Sequence, residues 1–248
     1  MQETYQKLID GIKEYFGKSG MARAVVGISG GLDSALTLKL AVDALGPEKV
    51  TAVSIPERGV SAPLNADHAK KLCLALGAEF YNVPLNQFVA SFSHLPWGTT
   101  PPAGQNVRAR LRMVILYHFA NCQNALVLGT SNKSEILLGY GTKYGDLAAD
   151  LEVIGDLYKE EVVSLSDFVG LPREIIEKQP SAELYEGQTD AADLGATYSE
   201  LDPILKKKDQ GMESLIERGM NAALVHNVFK RIEKNRHKTE MPPIIKIS

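Results

Sequence analysis

The stretch Val25-Val26-Gly27-Ile28-Ser29-Gly30-Gly31-Leu32-Asp33-Ser34 limits what this chain can fold into more than any other part of it. The small and apolar run from Ala24 to Ile28 predicts a buried parallel strand. The run breaks at Ser29-Gly30-Gly31, and an apolar helical pattern starts at once through Ala35-Leu36-Thr37-Leu38-Lys39-Leu40. Strand, glycine turn and helix start together make an anion site. The glycines let the backbone turn tightly and come close to a ligand, and the first helical N–H groups point outward at the positive end of the helix dipole.

The loop lacks the Gly-Lys-Ser/Thr ending of a Walker loop and is not G-x-G-x-x-G. Its distinguishing part is Asp33-Ser34. A carboxylate beside a phosphate cradle repels phosphate unless a divalent cation lies between them, so Asp33 implies Mg²⁺. Ser29 and Ser34 add hydroxyl donors. This Ser-Gly-Gly-x-Asp-Ser loop resembles the pyrophosphate loop of the N-type ATP pyrophosphatases, a resemblance that implies cleavage of ATP to AMP and pyrophosphate.

The formal charge of −3 provides no basic field, so nucleic acid is not an expected partner. Cys73 and Cys122 stand alone, which indicates neither a disulfide framework nor a zinc site. Met1-Gln2-Glu3 opens an amphipathic stretch with no signal-peptide pattern, and no apolar run reaches membrane-spanning length. A soluble cytoplasmic protein is expected.

In chain order, residues 3–18 have helical apolar spacing. Lys49–Ile55 reads as a second strand, Ser61–Leu76 as a helix stopped by Gly77, and Glu79–Val83 as a third strand. Residues 88–105, rich in Pro and Gly around Trp97, read as a loop or lid. A helix from Gln105 to Cys122 leads to a fourth strand, Gln123–Leu128, and then to the small polar turn Gly129-Thr130-Ser131. Strands alternating with helices argue an α/β fold, a doubly wound, mainly parallel, Rossmann-like sheet with helices on both faces, and the loop's resemblance implies the pyrophosphate-loop ATPase type. The chain is expected to be one domain over 1–248, mainly helical from 171 onward, with Ile244–Ile247 a late edge strand.

Ligands of open α/β sheets bind at the carboxyl ends of the strands. Ser29-Gly30-Gly31 and Gly129-Thr130-Ser131 both lie at such ends, so Glu135 is expected to face Asp33 across one crevice. Both carboxylates are expected near solvent.

The runs GTSNKSEILLGYGTKYGD, IGDLYK, KQPSAEL and EGQTDAADLGATY then make the chain recognisable. It resembles the ammonia-dependent NAD⁺ synthetases over nearly its whole length. The resemblance implies ATP-dependent amidation of deamido-NAD⁺ by ammonia, with AMP and pyrophosphate released. It also implies that Gly27, Ile28, Ser29, Gly30, Gly31, Leu32, Asp33 and Ser34 hold ATP, with Thr130, Lys159 and Ser181 as further contacts. Asp33 and Glu135 would bind Mg²⁺, and Arg110, Lys143, Asp150, His237 and Lys238 would contact deamido-NAD⁺. Catalysis would rest on Asp33, Glu135 and Lys159, with Asp150 a candidate proton acceptor, and the assembly would be a homodimer. The sequence departs from the family pattern at Ala191-Ala192-Asp193 and at Thr239 after the His237-Lys238 pair.

Two rivals are another adenylating amidotransferase of the superfamily, of the GMP synthetase kind, and a nucleotide-binding module without turnover. Neither cysteine lies on a strand–helix turn or beside a predicted activating histidine, so free ammonia is the expected nitrogen source.

Overall fold

The computed structural model describes residues 1–182, 184, 185 and 187–247; Glu183 and Glu186 of the recognised motifs, and Ser248, lie outside the described residues. The strands are β1 (Arg23–Gly27), β2 (Val50–Ser54), β3 (Glu79–Asn82), β4 (Ala125–Gly129) and β5 (Leu151–Glu152). Among the described residues they form one sheet in the order β3-β2-β1-β4-β5, every neighbouring pair parallel. The helices are α1 (Gln2–Ser19), α2 (Leu32–Leu45), α3 (Pro63–Leu76), α4 (Asn86–Ala90), α5 (Pro101–Gln123) and α6 (Lys133–Leu138). There follow α7 (Lys159–Phe168), α8 (Arg173–Ile176), α9 (Asp190–Leu194), α10 (Tyr198–Leu205), α11 (Met212–Glu217) and α12 (Ala222–Asn235).

Residues of β1 divide between two cores by the period of two that a strand imposes. Ala24 and Val26, with Ile28 just beyond the strand, share a buried cluster with Ile9, Ile12 and Phe16 of α1, with α2 and with Ala69 and Leu72 of α3. Val25 packs on the other face with Met113, Leu116 and Ala120 of α5. Both Val25 and Val26 are fully buried, as a strand covered on both faces requires. The doubly wound parallel sheet expected from the sequence is therefore present. A third cluster, Leu138, Tyr198, Leu201, Leu205, Leu215, Val225 and Val228, joins α6 to α10, α11 and α12 and accounts for the helical C-terminal part.

Two local expectations need correction. Residues 88–105 are only partly irregular: α4 runs to Ala90, a 3₁₀ turn spans Ser91–His94, and α5 begins at Pro101 rather than Gln105. Thr100 caps it, its side chain accepting from Ala103 N at 3.4 Å. Pro101 and Pro102 fit the first turn, where a missing N–H costs nothing. Ile244–Ile247 forms no strand: Ile244, Ile245 and Ile247 are 86–98% exposed and pair with no sheet edge. A strand without a partner edge has no ladder to hold it.

Candidate active site

The chain builds the sheet outward from β1 to β3, then returns to lay β4 on the other side of β1. The crevice at this reversal is where such sheets bind ligands. Its β1 side is the Ser29–Ser34 turn, held by its own hydroxyls. Ser34 Oγ lies 3.1 Å from Ser29 Oγ, accepts from Ser29 N at 3.2 Å and donates to Gly31 O at 3.0 Å; Ser29 Oγ accepts from Gly31 N at 3.2 Å. Gly30 has φ +83°, and a Cβ there would lie 2.2 Å from the Asn65 backbone oxygen of α3. No side chain fits. Gly30→Ala is therefore expected to cost at least about 2 kcal/mol, a melting temperature lower by roughly 4–8 °C in a thermal scan.

The β4 side carries the second half of the site. Asn132 caps α6 in a capping box: its Oδ1 accepts from Glu135 N at 3.0 Å, and Glu135 Oε2 accepts from Asn132 N at 3.2 Å. The same Asn132 side chain donates to Asp33 Oδ1 at 3.0 Å, which ties the two loops together. Lys159, at the first turn of α7, donates to Asp33 Oδ2, and its Nζ lies 3.8 Å from Glu135 Oε1. It is 4% exposed. Two carboxylates from neighbouring strand ends thus converge on one ammonium.

Electrostatics follow from this burial. Desolvation, then the Asp33 charge, holds the Glu135 carboxyl well above the ordinary carboxylate range. Burial opposes the Lys159 ammonium, but Asp33 and Glu135 outweigh it and raise its pKa above the ordinary lysine value. The start of α7 is itself fixed: Ser134 Oγ accepts from Lys159 N at 3.1 Å and donates to buried Asp202 at 2.5 Å, and Asp202 also accepts from Glu160 N at 3.1 Å. Tyr198 of α10 places its ring 5.4 Å from Lys159 Nζ and donates to Asp190 at 3.0 Å.

A cavity of about 1200 Å³ opens at this crevice. That exceeds the usual volume for one small ligand, about 300–1,000 Å³. Its lining includes Gly27, Ile28, Ser29, Gly31, Leu32, Asp33 and Ser34, with Thr130, Glu135, Lys159, Ser181 and Lys238. Gly30 is turned against Asn65 instead. Lys238 Nζ donates to the Gly139 and Gly141 oxygens at 2.8 and 3.0 Å.

Arg110, Lys143, Asp150 and His237 lie outside that lining. Arg110 Nε donates to Lys143 O at 3.1 Å, and Lys143 Nζ donates to His237 O, so these three meet at an exposed surface beside Thr142 of the cavity wall. Asp150 accepts from Val127 N at 2.8 Å and from the Tyr117 hydroxyl at 3.2 Å. Besides Asp33 and Glu135 the wall carries Glu160, Asp193, Asp146 and Asp190, and desolvation raises the pKa values of the last two. Sequence reading missed these two, and also Asn132, Ser134, Tyr198 and Asp202. Only Asn132 had a visible signal, the Asn-x-x-Glu capping pattern.

The sequence model of the NAD synthase family matches residues 4–242. The chain belongs to the NAD synthase family. The NH₃-dependent NAD⁺ synthetase of Methanosarcina mazei is 42% identical, with 98% of each chain covered. The structure of an NH₃-dependent NAD synthetase from Campylobacter jejuni superposes with a TM-score of 0.85 at 35% identity, covering 99% of each chain. An NMN synthetase from Francisella tularensis superposes at 0.88 and 31% identity, covering 99% of this chain and 98% of that one. NAD synthase membership agrees with the parallel α/β sheet. No helix among the described residues is long and apolar enough to cross a membrane.

Proposed function

We propose that the residues gathered at the β1/β4 switch point carry out the family's reaction in the following way. The chain catalyses amidation of deamido-NAD⁺ by ammonia with ATP as co-substrate. The observation that carries the assignment of roles is the convergence of Asp33 and Glu135 on Lys159 beside the Ser29–Ser34 turn.

A carboxylate is a poor acyl donor because oxide would have to leave. Transfer of AMP to it creates a mixed anhydride with a stable leaving group. The loop N–H groups and the α2 N-terminus hold the pyrophosphate end of ATP, Lys159 offsets its charge, and Thr130 and Ser181 make further contacts. The substrate carboxylate then attacks the α-phosphate in line, and ammonia displaces AMP from the adenylated carbonyl. Catalysis is mainly positioning and electrostatics.

Two carboxylates drawn to one positive charge are a donor set that suits a hard divalent cation. Among the described residues no group of three or more His, Cys, Asp or Glu converges. Mg²⁺ commonly takes few protein ligands and completes its shell with phosphate oxygens and water, so Asp33 and Glu135 fit it. When bound it would stabilise charge on the departing pyrophosphate. Asp190, buried on the wall with a raised pKa, has the character of a proton acceptor for the attacking ammonia.

The exposed group of Arg110, Lys143 and His237, next to Lys238, contacts deamido-NAD⁺ where it leaves the cavity. This surface position supports completion of the substrate site by a second copy of the chain, a homodimer of 1–248 units. A cytoplasmic location agrees with two free thiols.

The test is product analysis with ATP, ammonium and deamido-NAD⁺ carrying ¹⁸O in its carboxylate. AMP, pyrophosphate and NAD⁺ are expected, with label passing to AMP; ADP, or unlabelled AMP, overturns the adenylate route. Because one structural relative is an NMN synthetase, the deamido mononucleotide is assayed beside the dinucleotide.

Glutamine as sole nitrogen source should give no NAD⁺. Burial pushes the Cys73 thiol up to about 12, so it is no nucleophile at neutral pH. With subsaturating ammonium the rate should climb with pH above neutrality, as free ammonia increases. Efficient synthesis from glutamine by the purified protein overturns this.

A further inference from the structure

Arg108 and Arg112 lie one turn apart on α5, and both reach across to the loop between β2 and α3. Arg108 grips Glu57 with two bonds, Nε to Oε2 at 2.5 Å and Nη2 to Oε1 at 2.9 Å. Arg112 Nε donates to Ile55 O at 3.1 Å. Glu57 is 6% exposed. A guanidinium that meets a carboxylate through a two-bond fork fixes geometry as well as neutralising charge. Within the loop, Ser61 Oγ accepts from Glu57 N at 3.1 Å and Ser61 N donates to Glu57 O at 2.9 Å, which ties the far end to the same residue. Asn86 of α4 exchanges two bonds with the Arg58 backbone, at 2.9 and 3.1 Å.

This loop is part of the cavity wall. Ile55, Pro56 and Ala62 line the cavity together with Met113 and Leu116 of α5, and with Ile28 at the root of the Ser29–Ser34 turn. These side chains are apolar, whereas Asp33, Glu135 and Lys159 gather beside the turn itself. A nucleotide whose phosphates are held by the turn has an apolar surface left for its base, and a flat aromatic ring suits such a surface. Neither Glu57 nor Arg108 is in the lining, so the pair supports the wall from behind. A carboxylate left without its cation at so buried a position is costly, and a loop that swings it into water relieves that cost.

We propose that Glu57 and Arg108 are positioning residues for the base end of ATP: their pair holds the β2–α3 loop where it packs on the base, before the nucleotide arrives. A wall already in place spares the nucleotide the cost of ordering it. This rests on the reading of the crevice as an ATP site, and it gives a role to two residues that neither the sequence motifs nor the resemblance assigns.

The experiment measures binding of ATP and of pyrophosphate, separately, by calorimetry in Mg²⁺ buffer without deamido-NAD⁺. The unaltered protein is compared with Arg108→Met, Arg108→Lys, Glu57→Met and the double variant Glu57→Met with Arg108→Met. Arg108→Met is expected to lose about tenfold in ATP affinity, as when the loop is in place about a tenth of the time, and to keep pyrophosphate affinity within about twofold. Arg108→Lys keeps the charge without the fork and should lie between, and it carries the comparison if Arg108→Met does not fold. The double variant removes the stranded carboxylate, so its ATP affinity should be no lower than that of Arg108→Met. In steady-state assays the KM for ATP should follow the same order while kcat holds within about twofold. Equal weakening of ATP and pyrophosphate, losses that add in the double variant, or a lowered melting temperature with ATP affinity unchanged overturns the proposal. Failure of the unaltered protein to bind either ligand overturns the reading of the crevice as an ATP site.

Discussion

Glu135→Gln is expected to lower kcat/KM by about a hundredfold or more while leaving the melting temperature within a few degrees of the unaltered protein. The two effects separate because Glu135 has two jobs in the structure. Its Oε2 closes the α6 capping box on Asn132 N, and its Oε1 faces Lys159. Glutamine closes a capping box as well as glutamate does, so α6 keeps its start. The substitution removes a buried negative charge beside Asp33 without touching the Lys159–Asp33 contact. What is lost is one of the two carboxylates proposed to hold Mg²⁺. Near-unaltered activity at saturating Mg²⁺ would remove Glu135 from the metal site. Asp33→Asn should lose both activity and stability, since it also deprives Lys159 of its direct partner.

Lys159→Met is expected to abolish turnover and to destabilise the fold by about 3–5 kcal/mol near neutral pH, because it strands buried carboxylates without their cation. For a chain of this size that is a melting temperature lower by roughly 10 °C or more. The loss should depend on pH in a particular direction. Lys159 lowers the Glu135 pKa, which burial and Asp33 already hold above its ordinary value, so its removal raises that pKa further. In the variant, folded Glu135 then binds a proton over a pH range where the unfolded chain does not. Between the ordinary carboxylate value and the raised one, the folded state carries more protons, and stability falls as pH rises. Melting curves from pH 5 to pH 8 should show the gap between variant and unaltered protein widening with pH. A gap independent of pH would mean that Lys159 is not the counter-ion of this pair.

The Ser29–Ser34 turn, the strands on either side of it and Glu135 are legible because each is a local pattern: an apolar run, a glycine break, a small polar turn that leads from a strand into a helix. The helix pattern in Asn221–Lys234 was equally plain, and α12 follows it within one residue at each end. The burial of the two carboxylates was not legible. Both were expected near solvent, yet their side chains are only 19% and 16% exposed. The cover comes from α7 and α10, whose Lys159 and Tyr198 arrive by tertiary packing that no spacing within either segment announces. The start of α5 is not legible in the sequence because Pro-Pro suits a loop as readily as a helix's first turn. Ile244–Ile247 differs from expectation for the opposite reason: apolar composition indicates what a strand prefers, not whether a neighbouring edge exists to receive it.

The order in which β1 meets its neighbours also bears on how this protein is made. During translation β2 can join β1 early, whereas β4, its other neighbour from Arg23↔Ala125 onward, emerges about 100 residues later, roughly 5–20 s at common synthesis rates. For that interval the central strand of the future sheet is an edge strand of a nascent chain, with Val25 and Val26 lacking half their cover. Such an edge is a template for pairing with another chain. The ribosome-bound intermediate is therefore where this protein is most exposed to aggregation and where a chaperone has most to bind. The same delay means that Asp33 has no lysine partner, and the loop no second wall, until the chain has passed residue 159.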